Sequence, residues 1–231
     1  SMERVQKFLR KVASNDTVID VYGGMGSLES RVGTYEPGPR HPIESEYDLL
    51  NSFPHEVSKF IDAEKEGYQA AIMNCSGDPG LSGIREAVSI PIIGPGVTGR
   101  HVCSQICHKF SVLTTGKKGP VNILLEHEEP HNLGRWISTR RIGLGVLEVS
   151  ENPERAYNAM LTEARKAMAE EGADAFTYGC MSMAFIDVDK RLEAELGVPF
   201  VNPAKASVKI AALCLDLELT HTKPNYPTPE K

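Results

Sequence analysis

Cys75 and Cys180 close two copies of one pattern, Glu66-Gly67-Tyr68-Gln69-Ala70-Ala71-Ile72-Met73-Asn74-Cys75 and Glu171-Gly172-Ala173-Asp174-Ala175-Phe176-Thr177-Tyr178-Gly179-Cys180. In each copy the cysteine follows the glycine by eight residues. Each copy then runs through a helix-length segment into a second matched stretch, Ile90-Pro91-Ile92-Ile93-Gly94-Pro95 and Val198-Pro199-Phe200-Val201-Asn202-Pro203. An internal duplication therefore sets one thiol at the equivalent point of each half. If the halves face each other, the two cysteines meet across a cleft. That suits inversion of a carbon centre without a cofactor, which needs a base on one face and an acid on the other. A thiolate is basic not far from neutral pH, and a thiol can return a proton to the opposite face of a carbanion. A lone cysteine after a strand is more often a small buried hydrophobe, but matched placement in two repeats favours the chemical reading.

The elements that must position the pair alternate between strand and helix. Residues 3–12 read as a charged amphipathic helix, Thr17–Tyr22 as a strand, and Gly23–Pro42, rich in Gly and Pro, as a long loop or lid. A helical period from Pro54 ends at Gly67, and Ala70–Asn74 is a short apolar strand. Gly77-Asp78-Pro79-Gly80 turns the chain into a helix from Leu81. Pro91–Gly94 is the next strand, Val97–Lys109 a helix and Phe110–Thr115 a strand. Lys117–Arg141 is less regular, and Gly145–Val149 reads as a strand. Asn152-Pro153-Glu154 is a strong helix start, with a capping side chain, Pro in the first turn and an acid behind it. Ala156, Met160, Ala164, Ala167 and Met168 give that helix its apolar face as far as Gly172. A strand over Ala173–Gly179, a helix over Asp187–Leu196 and a last helix over Ala204–Leu217 complete the pattern.

Such alternation predicts an α/β fold of two similar lobes with mostly parallel sheets, related by a pseudo-twofold duplication. Residues 3–96 form the lobe carrying Cys75 and residues 97–203 the lobe carrying Cys180. Residues 204–217 form a helix that can return to the first lobe, and residues 218–231 a flexible tail. Both cysteines end a strand and precede a helical segment, where parallel α/β folds bind ligands. A helix N-terminus favours thiolate. One cysteine of the pair is therefore expected to ionise at or below neutral pH, its charge and a desolvated cleft holding the proton on the other.

At 231 residues the chain suffices for one α/β domain or two small lobes. A net charge of −6 without a Lys/Arg-rich run argues against nucleic acid or an anionic membrane and for a small-molecule site. No apolar run is long enough for a membrane span, and no signal-peptide core is seen near the start. Five cysteines, an odd number, argue against a disulfide framework and for a cytoplasmic setting. Cys103 and Cys107 with His101 and His108 have metal-ligand types at helical spacing, yet a core helix face is the default for them, as packing is for Cys214. His127 and His131 among Glu126, Glu128 and Glu129 read as solvated charge. Gly23-Gly24-Met25-Gly26 lacks both the dinucleotide fingerprint and the P-loop lysine. Trp136 is expected in a core or interface. No metal is expected.

Asn74-Cys75-Ser76-Gly77-Asp78-Pro79-Gly80-Leu81 resembles the first cysteine motif of hydantoin racemases, within the aspartate/glutamate racemase superfamily. Glu171-Gly172-Ala173-Asp174 with Tyr178-Gly179-Cys180-Met181-Ser182-Met183 resembles the second. Ile43-Glu44-Ser45-Glu46-Tyr47-Asp48, Ser111-Val112-Leu113-Thr114-Thr115 and Val198-Pro199-Phe200-Val201 resemble further segments in the same order, so the likeness runs from about Glu3 to Leu217. It implies an active site between two lobes and a cofactor-independent, two-base mechanism with Cys75 and Cys180 as the acid/base pair. It also implies a substrate cradle from Asn74, Ser76, Gly77, Thr114, Thr115, Gly179 and Met181, whose amides and hydroxyls would stabilise enolate-like charge. The favoured substrate is a 5-substituted hydantoin or allantoin, and a homo-oligomer is expected. An amino-acid racemase for aspartate or glutamate, with Arg31, Arg40 and Arg85 as nearby cations, is the alternative enzyme, and a non-catalytic binding protein the alternative of another class. Members of the family open with a strand carrying an Asn-Pro-Asn-like segment. This chain starts on what resembles the first helix, so that edge of the site is either missing or filled by the Gly23–Gly38 loop or another subunit.

Overall fold

Asparagine and proline set the starts of two long helices. The side chains of Asn152 and Asn202 accept first-turn backbone N–H groups, and Pro153 and Pro203 follow where a missing N–H costs nothing. The computed structural model describes residues 2–22, 46–116 and 135–230, the side chains of 46–55 excepted. In chain order it contains α1 (Met2–Arg10), α2 (Glu46–Lys65), β1 (Ala71–Ile72), α3 (Leu81–Ala87), β2 (Ile92–Ile93), α4 (Pro95–Ile106), β3 (Phe110–Thr114) and β4 (Trp136–Arg141). There follow α5 (Val146–Glu151), α6 (Pro153–Glu171), β5 (Ala175–Tyr178), α7 (Met181–Ala184), α8 (Asp189–Leu196), β6 (Phe200–Val201) and α9 (Pro203–Asp216).

The strands form two sheets, and every pair is parallel. β1 and β2 make the first, with Ala71 opposite Ile92, and β4-β3-β5-β6 the second, with Leu113 opposite Tyr178. The first lobe packs Met73, Leu81, Ile84, Val88 and Ile92 against Val57, Phe60 and Ile61 of α2. In the second, alternate residues of β5 face opposite sides. Phe176 and Tyr178 join Met160, Leu192 and Phe200 on one side, and Ala175 joins Cys103, Cys107, Val112 and Val201 on the other. The connections leave the carboxyl ends of β1 and β5 facing the cysteine turns.

Both ends of the chain pack back onto the body of the protein. Phe8 of α1 joins the second core, edge-on to Phe185 at 5.6 Å between ring centroids. α9 packs on α4 and also touches β1 and β2. The C-terminal segment then runs along the first lobe, where His221 Nε2 accepts from the Ile92 N–H at 2.6 Å and Lys223 Nζ donates to the carbonyl of Val88 at 2.8 Å.

Three expected elements differ. Thr17–Tyr22 is not a strand: Val18 and Tyr22 are exposed, and the segment is tied by side chains, Gln6 to the Ile19 carbonyl and Tyr68 to Asp20. Gly145–Val149 is not a strand either, because Val146–Glu151 is helical, its start closed by Glu148 accepting from the Gly145 N–H at 2.9 Å. Within the stretch read as irregular, Trp136–Arg141 forms edge strand β4. Its polar residues hid it, yet Arg140 is satisfied by Glu163, Glu170 and Glu171. The Gly23–Pro42 loop, its Gly-rich start, Arg31, Arg40, His127 and His131 lie outside the described residues.

Candidate active site

Each cysteine stands in a turn just beyond its strand. Past β1, Met73 N–H still donates to the Ile93 carbonyl at 3.0 Å, and past β5, Gly179 N–H donates to that of Leu113 at 2.7 Å. There the ladders end. Cys75 and Cys180 each place their carbonyl 3.1 Å from the N–H three residues on, Asp78 and Met183 respectively. In each turn the residue two beyond the cysteine reaches the sulfur. Gly77 offers its backbone N–H to Cys75, and Ser182 Oγ lies 3.1 Å from Cys180 Sγ. Both turns share the bond from the cysteine carbonyl to the N–H three residues on, but the second opens directly into α7.

The surroundings of the first thiol favour its protonated form. Burial pushes Cys75 up to about 12; the Gly77 N–H opposes this, and nearby Cys180, Glu56 and Asp78 add to the rise. The expectation that a helix N-terminus would favour its thiolate is therefore corrected. Cys180 directly precedes α7, but α3 begins only at Leu81, beyond the Gly77–Gly80 turn, so the helix that follows Cys75 does not start at its sulfur. Glu56 of α2 is itself held above the usual carboxylate range by burial, with Lys59 opposing.

Around the pair, Asn74 is exposed, whereas Ser76 is only 1% exposed and its hydroxyl has no hydrogen-bond partner among the described residues. Next to Cys75 this leaves a buried hydroxyl without a partner, a rare arrangement in a folded protein. Thr114 is buried and donates to the Gly179 carbonyl at 3.4 Å, while Thr115 at the end of β3 keeps part of its surface. Met181 is buried in the second core, which leaves only its backbone to face the cysteine turn. Glu56 and Asp78 escaped the sequence reading. Asp78 was read only as part of a turn and of the first cysteine motif, with no role of its own, and nothing in the pattern of α2 singles out Glu56.

The remaining candidates have structural places. Cys103 and Cys107 are buried in the second core, and Cys103 Sγ donates to the Phe176 carbonyl. Arg85 donates to the Ile92 carbonyl and to Tyr226. Trp136 is half-buried with Arg100 over its ring. Among the described residues, no three His, Cys, Asp or Glu side chains gather as a metal-binding group. None of the five cysteines is in a disulfide.

The architecture is that of a parallel α/β protein in which each of the two sheets leads into a cysteine turn. The family model for Asp/Glu/hydantoin racemases matches residues 29–211, and the chain belongs to that family. A hydantoin racemase of Pseudomonas sp. (strain NS671) is 33% identical over 193 residues, spanning 82% of this chain and 76% of that protein. Among solved structures, an allantoin racemase from Klebsiella pneumoniae superposes with a TM-score of 0.83 at 24% identity, covering 100% of this chain and 89% of that one. An allantoin racemase from Pseudomonas fluorescens gives 0.80 at 24% identity, covering 100% and 92%.

Proposed function

We propose that this chain is a cofactor-independent racemase that inverts the carbon next to a carbonyl, with Cys75 and Cys180 as its acid/base pair and a 5-substituted hydantoin or allantoin as substrate. The observation that carries the reading is the pair of cysteine turns, each presenting a sulfur just past a parallel strand, with Cys180 near enough for its charge to hold the proton on Cys75. The names borne by the relatives support the substrate class.

In one direction Cys180 takes the α-proton and Cys75 delivers its own to the opposite face; in the other the roles exchange. The charge that develops on the carbonyl oxygen as the proton leaves needs donors already in place. Among the described residues the Ser76 hydroxyl, the Thr115 hydroxyl, the Asn74 amide and the backbone N–H of Met181 are candidates, whereas the Thr114 hydroxyl is directed at Gly179 and the Gly77 N–H at Cys75. A cyclic ureide suits such a site better than aspartate or glutamate, because Arg85, the described candidate for gripping a free carboxylate, is engaged elsewhere. The unpaired cysteines and acidic balance support a cytoplasmic setting, and an assembly of like chains is the expected form, which light scattering tests.

Cys75→Ser and Cys180→Ser should each abolish racemisation of L- and D-hydantoins and allantoin while circular dichroism shows an intact fold. Parent protein should wash solvent deuterium into the α-position. Near-parental turnover in either variant removes the two-base reading, and inversion of aspartate or glutamate alone would move the substrate to the amino acids.

A further inference from the structure

Asp78 holds the Cys75 turn in a way that its place in a Gly-Asp-Pro-Gly run does not suggest. It is 1% exposed and sits at φ 49°, in the left-handed region that aspartate tolerates better than most residues. Its carboxylate accepts from Gly96 N–H at 3.0 Å and from Val97 N–H at 2.5 Å. Those are first-turn N–H groups of α4, which lack partners within their own helix. The residue ahead of α4 is Gly94, which has no side chain to cap it. The carboxylate fills a socket that only glycine leaves open. A Cβ on Gly94 would lie 2.8 Å from the Asp78 carboxyl carbon, and one on Gly96 would lie 2.7 Å from Oδ2 and 2.0 Å from the Ser76 carbonyl oxygen.

The other half solves the same problem locally. Asn202, directly before Pro203, accepts from Ala204 N–H at 3.1 Å and Lys205 N–H at 3.3 Å, the equivalent positions of α9. In the first half the capping group has left the helix start and belongs to the cysteine turn instead, so α4 becomes the anchor of that turn.

We propose that Asp78 is a positioning residue for Cys75: its carboxylate pins the turn to the α4 N-terminus and so keeps the Gly77 N–H on the Cys75 sulfur. This rests on the acid/base role proposed for Cys75. The charged or titratable groups acting on that sulfur are Glu56 from α2, which is paired with Lys59, Cys180 from the opposite turn, and Asp78 itself.

The test combines steady-state kinetics with hydrogen exchange in Asp78→Ala and Asp78→Asn. In Asp78→Ala, kcat should fall at least tenfold with KM moving less than threefold, and the amide of Gly77 should exchange at least tenfold faster. Asp78→Asn keeps one acceptor and should recover part of both losses. A merely structural cap would expose α4 amides without moving Gly77 or splitting kcat from KM, and that outcome overturns the proposal, as does a kcat within twofold of parent. If Asp78→Ala fails to fold, Asp78→Asn carries the test, and parental kcat with parental Gly77 exchange there counts against the proposal. Should the parent prove not to racemise any substrate, the acid/base reading fails by itself, and Gly77 exchange still decides whether Asp78 holds the turn.

Discussion

Thr114 and Gly179 touch so closely that neither can be replaced freely. Across the β3/β5 pairing the Thr114 hydroxyl donates to the Gly179 carbonyl at 3.4 Å, and a Cβ built on Gly179 would lie 2.9 Å from Thr114 Cβ and 3.0 Å from Val112 Cγ1. Gly179 immediately precedes Cys180, so whatever pushes it back from β3 also moves the second sulfur. The glycine is required here by close approach of a buried strand, not by a turn.

Gly179→Ala should therefore destabilise the protein by about 1–3 kcal/mol, the usual range for overpacking a filled core. Racemisation should fall with it. Thr114→Val keeps the shape and removes only the hydroxyl, costing about 1 kcal/mol. Urea unfolding gives the two stabilities. An alanine variant as stable and active as the parent would show that β3 and β5 can separate at no cost.

The pH dependence of Cys75 has a definite sign. Burial raises its pKa to about 12, so the thiol form persists through neutral and mildly alkaline pH. Alkylation by iodoacetamide, which needs thiolate, should climb about tenfold per pH unit from pH 7 to 10 without levelling. Peptide mass spectrometry reads Cys75 separately from the other thiols. A plateau at or below pH 9 would mean that the site does not hold this proton, and the role of resting acid would pass from Cys75. The raised pKa also lowers stability as pH rises from about 9 towards about 12, because the folded state then keeps a proton that the unfolded chain releases.

The duplicated cysteine motifs were legible because strand, glycine and thiol keep their spacing in both halves. The helix starts at Asn152-Pro153 and Asn202-Pro203 were legible because their capping chemistry is local. Most of what stayed hidden depends on distant partners, and one local cap was masked by β-branched neighbours. Gly145–Val149 has β-branched residues at Val146 and Val149, yet the side chain of Glu148 closes a helical turn there. Trp136–Arg141 looks too polar for a strand until Glu163, Glu170 and Glu171 from α6 are placed beside Arg140. Asp78 reads as a turn residue because the helix it caps starts many residues later. Side chains that satisfy another element's backbone leave no periodic trace in their own.

Cys103 shows how a cysteine of the other kind should behave. It is fully buried against Phe176 and Val112, with its thiol donating to a backbone carbonyl. Cys103→Ala should cost on the order of 1 kcal/mol through lost contacts and leave kcat within about twofold. Thermal melting and racemisation rates, measured side by side, separate the two effects. A large catalytic loss at unchanged stability would give this helix face a role beyond packing.

The C-terminal segment, expected to be a flexible tail, makes a chain of contacts to the first lobe that should register as a pH effect on stability. His221 Nε2 takes the free N–H of Ile92 on the edge of the small sheet, Lys223 Nζ collects the carbonyls of Arg85, Glu86 and Val88 at the end of α3, and Tyr226 meets Arg85. Only neutral imidazole can accept from Ile92. Burial first, then the neighbouring Arg85 and Lys223, lower the pKa of His221 from 6.5 to about 4. Between those values the unfolded chain binds a proton that the folded state refuses, so stability is fully present above about 6.5 and falls as the pH drops towards 4. His221→Gln should lose stability at pH 7 and, more tellingly, lose that part of the pH slope. Paired urea titrations at pH 4.5 and 7 measure it. An unchanged slope in the variant would show that His221 does not hold the segment to β2 in solution.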